Sequence, residues 1–356
     1  MSGIVSDNVD DGSGVINAPT GGATVSSSNP TITTNATLGT QWANSSTGSY
    51  YVCTDATTDG NVWINVDDAG GHILYYLGQS HGFTAGGGSD VIDRFAFASD
   101  GDATDWEDLI ASYDLCSGNS SATNGYSIGA ASADDIQQKF PFASQTAASE
   151  VGDLVSGSNS YGFASSDSAT HGYLSGHKDG ALTNVIQKLS FSVDGNTADV
   201  ANLITTVAMA AGSQSSTYGY VSGGLPSGSV NTIQKFQFAS DGDATDVANL
   251  TASLGQMKGN SAKDYGYTAG GNTGSVSNVI NKFAFTSDSD ATDVGNLTVA
   301  RKKTASTQSS HSGYTAGGNT GSNNNTIDKY SFVTDGDATD VGNLTTTTGG
   351  AAGSQV

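Results

Sequence analysis

Three acidic residues at a short, fixed spacing recur along this chain. Asp100, Asp102 and Asp105 are echoed by Asp241, Asp243 and Asp246, by Asp288, Asp290 and Asp293, and by Asp335, Asp337 and Asp340. Asp194, Asn196 and Asp199 form a weaker version, and one unit replaces the set with Gln145, Ala147 and Glu150. Calcium takes six or more oxygen ligands, so each acidic turn offers about half a shell. None has the terminal glutamate and glycine placement of an EF-hand loop. Asp-Gly turns also close hairpins through side-chain to backbone hydrogen bonds, and that reading is preferred. Calcium is therefore the only cofactor considered.

A second series is basic: Arg94, Lys139, Lys188, Lys235, Lys282 and Lys329 take six of only twelve basic residues. A scarce residue at a fixed position suggests a structural role, its stem packed beside Ile and its head paired with a neighbouring Asp or carbonyl. A ring of six cations serving as an anion site is the alternative. The histidines make no metal set. His81, His171 and His311 sit one or two residues before a glycine-aromatic step, which reads as surface or strand packing, and His177 falls in a variable stretch. No Gly-x-Ser-x-Gly elbow, His-Glu-x-x-His helix or phosphate loop occurs. Two converging carboxylates for glycoside cleavage are conceivable among the 34 acids, but the acids mostly follow the repeat, so no enzyme is expected.

The elements that must position these groups are set by repetition. A phrase of glycine, aromatic, small residue and glycine step starts at Gly82, Gly125, Gly172, Gly219, Gly266 and Gly313, mostly 47 residues apart. Each phrase is followed by an aromatic strand such as Ile280-Asn281-Lys282-Phe283-Ala284-Phe285, an Asp-rich turn and an Asx-Leu ending. A period of this length marks a solenoid, a propeller or an array. In the aromatic strand Phe283 and Phe285 share one face while Ile280, Lys282 and Ala284 share the other, so both faces need cover. Neighbouring propeller blades supply that cover.

The chain ends on Thr345–Val356, which matches the lead strand of another unit (205–214) and stops where the next Gly-Tyr is due. A surplus lead strand at the end and a weak one before Gly82 suit ring closure, which removes exposed sheet edges. The expected fold is all-β: a six-bladed propeller over residues 72–356, closed by the C-terminal strand, with residues 72–79 able to hold part of a seventh blade. Residues 1–38 carry no aromatic side chain and are expected to form an extended arm. Residues 39–71, with Trp42, Tyr50, Tyr51 and Trp63 around an Asp59-Gly60 turn, are expected to form a small β-hairpin unit.

Composition narrows the partners. Twelve basic against 34 acidic residues give a formal net charge of -22, a field that repels phosphate backbones and argues against nucleic acid. No apolar run reaches membrane length, and no basic residue precedes Arg94, so neither membrane insertion nor a usual secretory signal is expected. Cys53 and Cys116 have no metal or redox spacing. Unit-to-unit variation concentrates at 177–184, 224–231 and 271–278, after the glycine step, and at 115–124 and 156–169. Loops on one face of a rigid scaffold are natural recognition elements. Ser, Asn, Gly and Tyr there suit hydrogen bonding to a glycan or protein. His177, Lys178, Asp179, Leu225, Asn272 and Asn323 are the expected ligand-binding residues; solvated loops without a partner are the alternative.

The glycine doublet after an aromatic strand, the second aromatic strand and a downstream aromatic slot resemble kelch repeats over residues 72–356. Trp106 occupies the kelch tryptophan slot, whereas Val151, Val200, Val247, Val294 and Val341 stand there in the other units, so the pattern is divergent. The wording Gly-Tyr-Thr-Ala-Gly-Gly, then Ile-x-Lys-Phe-x-Phe, then Ser-Asp-Gly-Asp-Ala-Thr-Asp-Val is similar to repeat proteins of marine tailed phages. The opening Met1 to Val9 and the stretch 47–57 are similar to N-terminal pieces of such phage structural proteins. The resemblance implies a virion component assembled in the host cytoplasm, a tail fibre or adhesive appendage. It implies an arm docked to other virion proteins, a homo-oligomer, and a propeller turned to a host surface glycan or protein. A capsid decoration or head fibre and a glycan-degrading propeller are the alternatives.

Overall fold

A computed structural model of the chain describes residues 23–47, 49–65, 71–72, 77–131, 135–155, 157, 159–225 and 229–356. Residues 1–22 of the expected arm, 66–70 of the expected hairpin unit, 73–76 ahead of the first repeat and 226–228 in one variable loop lie outside them. The described residues are all-β, without helix. Contacts divide the chain into two compact units, Met1–Ile73 and Leu74–Val356.

The first unit is a five-stranded sheet of Thr24–Ser26, Gln41–Asn44, Tyr50–Asp55, Val62–Asn65 and Gly71–His72, in that order. Thr24–Ser26, within the stretch expected as an arm, pairs in parallel with Trp42, Ala43 and Asn44. Alternation along Tyr50–Asp55 and Val62–Asn65 sends Tyr51, Cys53 and Trp63 into a small core, where Trp42 meets Trp63 edge-on at 5.9 Å. The turn between these strands is held by Asp55, whose carboxylate accepts from the Thr57 amide and hydroxyl. Asp59 then takes a left-handed φ of 55°.

The second unit contains six four-stranded antiparallel sheets among the described residues, a propeller-like arrangement. The fifth shows the pattern: a lead strand Lys258–Ser261, a second strand Tyr265–Ala269, a third Val279–Ala284 and an outer Thr292–Asn296. The first sheet borrows its lead strand from the far end of the sequence. Ala352–Gln355 pairs with His81–Ala85, Ala352 opposite Ala85 and Gln355 opposite Gly82. The lead strands Ser117–Ser120, Ala164–Asp167, Ala211–Gln214, Lys258–Ser261, Ala305–Gln308 and Ala352–Gln355 touch in that cyclic order, the last meeting the first.

Side chains fill the space between successive sheets. The second-strand aromatic of a sheet lies on the Phe just past the next sheet's third strand: Tyr173 on Phe238 at 4.8 Å, Tyr220 on Phe285 at 4.7 Å, Tyr267 on Phe332 at 4.8 Å. Phe97 of the first sheet stacks at 4.9 Å on Tyr314 of the sixth. The glycine opening each phrase has a steric cause. A Cβ on Gly266 would strike the ring of Phe283, which crosses it from the paired strand. Any larger residue there would push the aromatic layer off its seat.

Candidate functional site

The recurring acidic and basic residues meet each other across sheet boundaries. Lys139 binds Asp194, Lys188 Asp241, Lys235 Asp288, Lys282 Asp335 and Lys329 Asp100, at 2.5 to 2.9 Å, each lysine reaching the following sheet and the sixth reaching the first. The middle residue of each turn is used too. Asp243, Asp290, Asp337 and Asp102 accept from the backbone and side-chain amides of Asn202, Asn249, Asn296 and Asn343 of the preceding sheet. The third residues, Asp246, Asp293 and Asp340, are exposed. Among the described residues no three His, Cys, Asp or Glu side chains are grouped to hold a metal ion. Two carboxylates of each turn point at different partners in the neighbouring sheet, which spreads them instead of focusing them on one point.

The exception in the basic series follows from one substitution. The unit after Arg94 has Gln145 where the others have aspartate, and Arg94 instead lies over the Trp106 ring, 3.9 Å from its centroid. Gln145 donates to Trp106 O of the first sheet. A guanidinium on an indole face is the cation–π arrangement that planar Arg favours over Lys.

The expected ligand-binding residues divide. His177 is 1% exposed, stacked 4.6 Å from Phe163, with Nδ1 on the Thr183 hydroxyl. Burial pushes its pKa down to about 4, so it is a neutral packing group. Lys178 and Asp179 form a two-residue strand against Ala181–Leu182, turned by Gly180 at φ 62°. Asn272 pairs with Gly255 through both backbone bonds and donates to Gln256 Oε1, and Asn323 accepts from the Asn319 amide.

Lys178 and Leu225 come together on one surface. With Tyr161, Gly180, Leu182, Ala208, Met209 and Gln256 they line an open cleft of about 330 Å³ between the loops of the third and fourth sheets. The floor is Met209, Ala208 and the leucines. Tyr161 supplies a flat ring with the Lys178 ammonium 6.0 Å from its centroid, and Gln256 adds an amide. Its volume lies at the low end of the range for small-ligand clefts, with apolar walls and a few polar groups. A repeated bridge places these residues. Tyr161 pairs with Lys178, Ala208 with Leu225, Gly255 with Asn272 and Lys302 with Asn319, so equal positions carry unequal side chains.

Tyr161, Met209 and Gln256 were not singled out in the sequence, although 156–169 was marked as variable. Met209 and Gln256 hold equal positions in successive units, each at a left-handed φ, 55° and 58°, where Lys303 and Gly350 stand in later units. Their amides form a belt around the axis, Met209 N to Gly162 O, Gln256 N to Met209 O, Lys303 N to Gln256 O and Gly350 N to Lys303 O. No family model matches the chain, and no curated protein matches it.

Proposed function

We propose that the six sheets are the blades of a closed, six-bladed, kelch-like propeller whose C-terminal strand completes the first blade. On this reading the propeller is a rigid binding scaffold, not an enzyme. Support for closure comes from contacts that join successive sheets and return from the sixth to the first: aromatic stacks, Asn–Asp bonds and Lys–Asp pairs, with Gln145 donating to Trp106 O where the second sheet meets the first. The binding surface is the loop face, and the observation that carries this is the cleft of about 330 Å³ built from non-repeating side chains on a repeating frame. Tyr161 offers a face for the C–H surface of a sugar, Gln256 a donor and acceptor, and Lys178 a cation for an acidic substituent. The ligand class is a surface glycan, acidic sugars preferred. Screening immobilised glycans with the whole chain tests this. Binding should be lost in Tyr161→Ala and Lys178→Ala, and no selective binding to any glycan would overturn it.

We further propose that the chain is a phage virion protein, its N-terminal region docked on the particle and its propeller presented to the host. The support is the similarity of the repeat wording and of residues 1–9 and 47–57 to phage structural proteins. Gold-labelled antibody against residues 72–356 should decorate the tails of purified virions. Gold over the head would favour a capsid decoration role, and no gold on any particle would overturn the virion reading.

A further inference from the structure

The lead strands surround a narrow axis, and one of them carries a cation into it. At the first lead-strand position the other sheets have Ser117, Ala164, Ala211, Ala305 and Ala352; the fifth has Lys258. One residue further on, Gly118, Ser165, Gly212, Gly259, Ser306 and Gly353 line a cavity of about 40 Å³ together with Lys258. The strands crowd closely here, since a Cβ on Gly259 would meet the Gly212 carbonyl. On its other side Lys258 borders a second space of about 20 Å³, lined also by Leu115, Cys116, Gly162, Met209, Gln256, Met257, Lys303 and Gly350.

The ammonium is incompletely satisfied. Lys258 Nζ donates to Ser117 Oγ at 3.1 Å and Phe163 O at 3.4 Å, reaching across the axis to the second and third sheets. Among the described residues no carboxylate lies within ion-pair distance of it. An ammonium has three N–H donors, so one is left over. The hydroxyls of Ser165 and Ser306, two residues lining the larger cavity, are buried without hydrogen-bond partners. A buried cation without a counter-charge is costly and either loses its proton or acquires an anion. Burial lowers the pKa of Lys258 to about 8, which leaves it mostly charged at neutral pH.

We propose that this axial cavity is a binding site for a small inorganic anion of halide size, held by Lys258. The cavity of about 40 Å³ exceeds the ~15 Å³ that one water needs, so a single halide fits. The anion takes the third N–H of Lys258 and donors from the serine hydroxyls, and Lys303 at the neighbouring space adds to the favourable potential.

Crystals of the whole chain grown in sodium bromide test the site by anomalous diffraction. A bromide peak on the axis within hydrogen-bonding distance of Lys258 Nζ is expected, and it should vanish in Lys258→Met. In solution, sodium chloride should raise the melting temperature above sodium gluconate at equal ionic strength, saturably for the native chain and not for Lys258→Met. The proposal is overturned if the native crystals show no axial peak, if the peak survives in Lys258→Met, or if both proteins show the same chloride-specific rise. Should Lys258→Met fail to fold, the native bromide peak alone decides.

Discussion

Asp93 makes the contact between the last sheet and the first dependent on pH. It is 1% exposed, and its carboxylate accepts from the Thr345 hydroxyl at 2.6 Å and the Thr345 amide at 3.2 Å. Burial outweighs these bonds and raises its pKa to about 6, from an ordinary value of 3.8. The folded chain therefore keeps a proton that the unfolded chain has released between those two values. Stability falls as pH rises from about 4 to about 6 and is flat above. At about 1.4 kcal/mol per pKa unit, a shift of about two units is worth at most about 3 kcal/mol. Asn281 shows that a neutral amide fits this position, since its Oδ1 accepts from both the amide and the hydroxyl of Thr251. Asp93→Asn should raise stability at pH 8 by about 1 to 3 kcal/mol and have little effect at pH 4. Urea unfolding followed by tryptophan fluorescence at pH 4, 5, 6 and 8 gives the difference between the two proteins. An Asn variant less stable at pH 8, or a difference that does not change with pH, would refute the argument.

Three further outcomes follow from other residues. Asp167 is fully enclosed and accepts from the Asn119 amide at 2.7 Å and the Ser120 backbone at 3.2 Å, with its pKa raised to about 7 by burial. Asp167→Asn should gain stability relative to the native chain between pH 4 and pH 7, measured by thermal melts at each pH, and an unchanged gap would count against it. Gly266→Ala should cost about 1 to 3 kcal/mol by overpacking against Phe283, and Phe283→Leu in the same chain should recover part of that cost in urea melts. Removing residues 350–356 strips the first sheet of its lead strand, and the melting temperature should fall by more than 10 °C, about 6 kcal/mol or more for a unit of this size, by calorimetry. An unchanged melt would remove the support for closure.

The repeat was legible because its most visible residues are fixed by contact. Gly266 must be glycine beneath Phe283, the aromatic must fill the gap to the next sheet, and the C-terminal strand copies the wording of the other lead strands. The lysines were legible as structural because their spacing matched the strands, and the partner carboxylates lay in plain view in the acidic turns. What the turns do with those carboxylates was not legible. Asp288 and Asp290 are two residues apart, yet one binds Lys235 of the fourth sheet and the other Asn249. Only the placement of the neighbouring sheet shows that they serve two contacts. The cleft was half legible for a similar reason. Lys178 and Leu225 stood out as variation within the repeat, whereas Tyr161, Met209 and Gln256 reach the same space from segments ahead of the lead strands. His177 varied for a different cause, a ring needed to pack on Phe163.

The six units also act as an internal comparison, and one pair of positions shows how the frame tolerates change. The residue after the Asx-Leu ending donates its amide to a third-strand side chain of the next sheet. Ile110 gives to Gln138, Val155 to Gln187 and Ile204 to Gln234; Thr251 gives to Asn281, Thr298 to Asp328 and Thr345 to Asp93. With the long amide the donor residue is β-branched and apolar, about half exposed at 47 to 52%. With the short acceptor it is threonine, and the hydroxyl joins the amide on the same side chain. A glutamine reaches the amide from further away and leaves no room for a second donor from that residue. Asn or Asp, one methylene shorter, holds its oxygen where a hydroxyl can share it. The two choices satisfy the same backbone amide donor, as a covered polar group requires. Both aspartates in this series face threonine, and Asp328 is in addition paired with the buried Arg301 at 3.2 Å. Asp93→Gln with Thr345 retained would leave a hydroxyl competing for space, so the stabilising exchange is the shorter amide.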